Sequence, residues 1–118
     1  MKVIIPLDED QKMICPVFGR APYFGIFDTE QETLEIKENP AAQAQGGAGL
    51  EAAQFVLDCH ADVLITPRCG KNSAEVFQEA EVKIYKPEGS DARENLNAFQ
   101  NGKLALLDHF HGGYQGIR

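Results

Sequence analysis

The sequence predicts an α/β protein: a single domain on a mixed five-stranded sheet flanked by helices. Three observations carry this reading. Three strand-like segments between Lys2 and Glu38 are followed by alternating helical and strand-like segments. At 118 residues the chain fits one compact domain and leaves little room for two. Its 43% hydrophobic content suits an ordinary globular core and excludes wholesale disorder.

Lys2 to Leu7 is a short apolar run stopped by Asp8-Glu9-Asp10 and reads as a buried strand. Tyr23 to Thr29 is aromatic-rich and reads as a second strand, and Thr33 to Glu38 alternates and reads as a third. The short link Glu30-Gln31-Glu32 makes these two a hairpin, with Leu34 and Ile36 facing the core and Glu35 and Lys37 facing water. Ala48 to Asp58 is Ala-rich, with Leu50, Ala53 and Leu57 at helical spacing. Val63 to Thr66 is a buried strand. Asn72 to Ala80 is a helix with Asn72 as its N-cap and Glu75 three residues on. Val82 to Tyr85 is the fifth strand. Ser90 to Gln100 is a third helix, with Ala92, Leu96 and Phe99 on one face and Gly102 past its end. Leu104 to Leu107 is a candidate for a further short strand. The domain is therefore expected over residues 1–107, with 108–118 a flexible C-terminal tail.

Charge and cysteine content narrow the function. The net charge is −7 and the isoelectric point near 4.8, which disfavours nucleic acid and anionic membranes as partners. Three cysteines do not make a disulfide scaffold. The first apolar run is too short for a secretory signal or a membrane span, so a cytoplasmic location is expected. The charges on strand 33–38 discourage edge pairing, so a monomer is expected.

The element order also places a site. The strand–helix units of the second half require parallel strands and right-handed crossovers. If strand 2–7 runs parallel to them, segments Asp8–Pro22, Asn39–Gly47 and Pro67–Lys71 gather beyond the carboxyl ends of the strands, where open α/β sheets bind ligands. The first carries Cys15, Phe18, Gly19 and Arg20. The second is glycine-rich, with Gly46, Gly47 and Gly49 opening a helix. The third, with Arg68, Cys69, Gly70, Lys71 and Asn72, opens another and carries two positive charges in an acidic protein. Helix N-termini with basic side chains make an anion-friendly pocket. Cys69 beside Arg68 and Lys71 is expected to have a lowered pKa and thiolate character, which suits a soft metal–sulfur species.

The strings VFGRAPYFGIFDTE, AQGGAGLEAA, DVLITPRCGKNSAEVF and VKIYKPEGSDARENL resemble, in order and spacing, the dinitrogenase iron–molybdenum cofactor biosynthesis family. The resemblance runs from about Met1 to Leu107. It implies a ribonuclease H-like fold and binding of an iron–sulfur or molybdenum–iron–sulfur cluster, with cofactor-assembly or acceptor proteins as partners. Family members often carry a histidine directly before Phe-Gly-Arg and another before Gly-Gly-Ala-Gly. Here those positions are Val17 and Gln45. Cys69 and Cys15 are then the candidate metal ligands, with His109 and His111 of the tail a possible third source.

Simpler roles compete at several positions. Cys59 reads as a small buried hydrophobe, and His60 as a helix-end residue. Arg20 could simply pair with a nearby acid. Ribonuclease H-type chemistry needs carboxylates spread over several strands to hold two metal ions, and strands 23–29, 63–66 and 82–85 supply only Asp28. The leading expectation is a non-enzymatic carrier of a cluster or its precursor. The alternative is a metal-free regulatory or adaptor module that binds a protein partner or small anion. A thiol enzyme using Cys69 ranks last, because no histidine base accompanies it.

Overall fold

The computed structural model describes residues 1–44 and 46–107. The strands are β1 (Lys2–Leu7), β2 (Tyr23–Asp28), β3 (Thr33–Glu38), β4 (Val63–Ile65), β5 (Lys83–Lys86) and β6 (Ala105–Leu106), and the helices are α1 (Ala48–Asp58), α2 (Lys71–Glu79) and α3 (Ala92–Gln100). They form one sheet in the order β3-β2-β1-β4-β5-β6. β1 pairs antiparallel with β2 and parallel with β4, β4 pairs parallel with β5, and β2 and β3 form the expected hairpin. The sheet has six strands rather than five. The added strand is two residues long, lies within the candidate segment Leu104 to Leu107 and pairs antiparallel with β5.

β1 sits mid-sheet and is buried on both faces, which is why its sequence is a continuous apolar run. Ile4 faces the layer of α1 and α2, where it joins Phe24, Leu64, Ala53, Val56 and Phe77 in one core. Val3, Ile5 and Leu7 face α3, packing with Val63, Ile65, Ala92 and Leu96.

Two local expectations change. Ile36 is 37% exposed and Leu34 only half-buried. α3 packs over β1, and β3 lies two strands away, about 10 Å at the usual strand spacing, beyond the reach of that helix. α2 is capped by the backbone of Gly70, not by Asn72, which lies inside the first turn; no side chain caps that end. α3 starts after Asp91, whose carboxylate accepts the Glu94 amide at 3.0 Å. The stretch before it is pinned by buried Asn95, which accepts the Glu88 amide (2.7 Å) and donates to the Glu88 and Asp91 carbonyls.

Candidate functional site

The parallel arrangement puts the carboxyl ends of β1, β4 and β5 at one edge, and the anticipated loops meet there. The first loop ends in a 3₁₀ turn at Phe18–Arg20. Phe18 is buried and anchors the turn by packing its ring on Phe24 and Phe77, with centroids 5.5 and 5.7 Å apart. Gly19 is pressed against α1: a Cβ there would lie 2.9 Å from the Gly49 amide nitrogen. Gly49 in turn faces α2, where its Cβ would lie 2.9 Å from Ser73 Oγ. These contacts bring the 3₁₀ turn, the α1 N-terminus and the α2 N-terminus within touching distance.

Neither helix start is closed by a side chain. α1 has Gly47 as N-cap, in the left-handed region at φ +68° where glycine is favoured, and α2 has Gly70. The first helical hydrogen bonds are Glu51 N–H to Gly47 O and Ala74 N–H to Gly70 O. The amides of residues 48–50 and 71–73 therefore have no carbonyl partner among the described residues. Two adjoining hollows lie over them. One of about 320 Å³ is bounded by Val17, Gly19, Arg68 and Ser73. The other, of about 480 Å³, is bounded by Gly47, Leu50, Lys71 and Ser73. Gly46 has open space where a Cβ would be. Arg68, Lys71 and Asn72 are exposed, and neither cation is in an ion pair among the described residues, where the one such pair joins Lys37 and Glu35. Exposed Val17 and Leu50 add an apolar rim.

Arg20, expected at the anion site with an ion pair as the simpler alternative, is engaged otherwise. Its Nη1 donates to the Ala42 and Ala44 carbonyls, tying the first loop to the second. Buried Asn39 adds a second tie: its Nδ2 donates to the Gly19 and Ala21 carbonyls, while its Oδ1 accepts the Ala41 amide. Thr66 is also buried, and its hydroxyl donates to the Arg68 carbonyl at 3.0 Å, shaping the third loop.

The thiols depart most from expectation. Cys69 is 1% exposed and belongs to the core, and its pKa is pushed up to about 12 rather than lowered. Desolvation disfavours the thiolate, and Arg68 and Lys71 next to it in sequence are exposed, away from the sulfur. Cys15 is likewise buried, with its thiol donating to the Val17 carbonyl (3.6 Å) and its pKa raised mainly by burial. Cys59 is half-buried with a raised pKa of the same cause. Among the described residues, no three His, Cys, Asp or Glu side chains converge as a metal site. Gln45, His109 and His111 lie outside the described residues. No helix among those residues is long and apolar enough to cross a membrane.

Three residues of this site were not singled out by the sequence reading: Asn39, Thr66 and Ser73. Asn39 had a signal in the Asn-Pro step that ends β3, whereas Thr66 and Ser73 had none.

Residues 1–102 match the family model described as dinitrogenase iron–molybdenum cofactor. An uncharacterised protein of Methanocaldococcus jannaschii is 28% identical over 111 residues, 92% of each chain. The apo orange protein of Desulfovibrio gigas superposes with a TM-score of 0.82 at 25% identity, over 90% of this chain and 92% of its own. A Thermotoga protein with the provisional designation NifB superposes with a TM-score of 0.77 at 34% identity, over 96% and 98%.

Proposed function

The chain belongs to the dinitrogenase iron–molybdenum cofactor family, and from that premise we propose that it is a non-enzymatic carrier of an anionic iron–sulfur or molybdenum–iron–sulfur cluster or its precursor. The observation that carries this is the pair of uncapped helix N-termini facing one another across Gly49 and Ser73, with Arg68 and Lys71 beside them. Free amides and cations stabilise negative charge, and this edge concentrates both on a protein of net charge −7. Exposed Val17 and Leu50 suit the weakly hydrated sulfide faces of such a cargo.

Phe18, Gly19 and Arg20 form the wall of the carrier site, and Gly46, Gly47, Gly49, Gly70 and Asn72 its floor and mouth. Cys69 and Cys15 are the metal-ligand candidates. A thiophilic metal displaces the thiol proton outright, so a high pKa weakens such a bond without forbidding it. Cofactor-assembly or acceptor proteins are the matching partners, in the cytoplasm, with the carrier a monomer. The order β3-β2-β1-β4-β5, with β2 alone antiparallel to its two neighbours, supports the ribonuclease H-like reading of the fold.

The test is an anaerobic titration of the full chain with a preformed molybdenum–iron–sulfur cluster, read by absorbance and by metal per chain. About one cluster per chain, weakened by Lys71→Gln with Arg68→Gln, is the expected result. No uptake above that of the double variant overturns the carrier reading and moves the search to a protein partner of a metal-free module. A Cys69→Ser variant run alongside reports whether the thiol is a ligand.

A further inference from the structure

Ser73 is the one side chain of the edge whose burial and bonding do not match. It is 4% exposed, yet its hydroxyl has no hydrogen-bond partner among the described residues, whereas the buried polar side chains of Asn39, Thr66 and Asn95 all have theirs. A buried hydroxyl without a partner is uncommon, because it has given up water and gained nothing. Its position explains the vacancy in its bonding. Ser73 lines both hollows, and its Oγ sits against Gly49 at the point where the α1 and α2 N-termini meet.

We propose that this junction is a subsite for a tetrahedral divalent oxyanion, with Ser73 Oγ donating the hydrogen bond that fixes it. The inference rests on reading this edge as anion-binding and names the chemistry of its deepest point. Donors of three origins adjoin the junction: the unbonded amides at the α1 start (residues 48–50), those at the α2 start (residues 71–73), and the hydroxyl between the two helices. A tetrahedral oxyanion presents acceptors in as many directions, which a planar carboxylate does not. Among the described residues no Asp or Glu lines either hollow, while Arg68 and Lys71 do. Because the Cys69 sulfur is buried in the core, the donors facing the gap are N–H and O–H groups, which prefer oxygen acceptors.

The experiment is calorimetric titration of the full chain with molybdate, and displacement of bound molybdate by sulfate, in parallel with the cluster titration. The wild type is expected to bind molybdate at one site. Ser73→Ala should weaken it by about tenfold or more, as expected for losing a hydrogen bond to a charged group. Asp91→Ala, at the separate start of α3, should leave it unchanged. Absence of molybdate binding to the wild type, or equal affinity in Ser73→Ala, overturns the inference. Cluster uptake that persists under either of those outcomes leaves the carrier reading standing. Ser73-dependent molybdate binding without any cluster uptake overturns the carrier reading and leaves the subsite.

Discussion

The three α-helix starts among the described residues are finished in two ways. α3 closes itself: Asp91 caps the Glu94 amide, and Asn95 fastens the preceding turn through the Glu88 amide and two carbonyls. α1 and α2 begin at glycines, carry no side-chain cap, and leave six amides without a carbonyl partner among the described residues. A helix start that serves only the fold can use a carboxylate of its own. One that must accept an outside anion has to leave that position empty, since a resident carboxylate would compete for the same amides. The difference is testable because the two kinds of start can be exchanged.

The largest effect should come from making α2 resemble α3. Gly70 has extended backbone angles and open space at its Cβ, so Gly70→Asp can cap α2 without a clash. Anion binding should fall by about a hundredfold, through competition for the amides and charge repulsion, while thermal stability stays level or rises slightly. A binding loss accompanied by unfolding would break the comparison. Second is Gly19→Ala, whose Cβ would meet the Gly49 backbone at 2.9 Å. Overpacking of this kind costs about 1–3 kcal/mol, or a drop in Tm of about 5–15 °C for a domain near 100 residues, measurable by calorimetry. Asp91→Ala should cost about 1 kcal/mol of stability through loss of the cap and leave binding unchanged. That completes the exchange from the α3 side.

A smaller effect concerns pH. Folding raises the Cys69 pKa from 9.0 to about 12, so the native state favours the protonated thiol. The stability this linkage contributes is fully present below pH 9 and is lost as the pH rises from about 9 toward 12. Chemical denaturation across that window should show a steeper loss of stability in the wild type than in Cys69→Ala.

Much of this architecture is readable before any coordinates. The apolar run of β1, the hairpin spacing and the helical periodicities place most elements within a residue or two. Parallel crossovers then force the three loops of the site to one edge. What stays hidden depends on distance in space. Ile36 alternates correctly for a core position, but no helix among the described residues extends far enough to cover it. Cys69 has basic neighbours in sequence, yet its side chain points into the core while theirs point out. Asn72 looks like a cap because it is the right residue type, but the chain turns helical one residue earlier, at Lys71 after Gly70. Arg20 is spent on carbonyls from a loop over twenty residues away. Ser73 is unremarkable in sequence and gains meaning only from the glycine packed against its hydroxyl.

The placement of the cysteines also bears on handling. All three thiols are at least partly enclosed and have raised pKa values, so little thiolate is offered to peroxide or to a passing disulfide. The polypeptide prepared in air without reductant is therefore expected to retain free sulfhydryls, which a thiol titration of the purified chain checks.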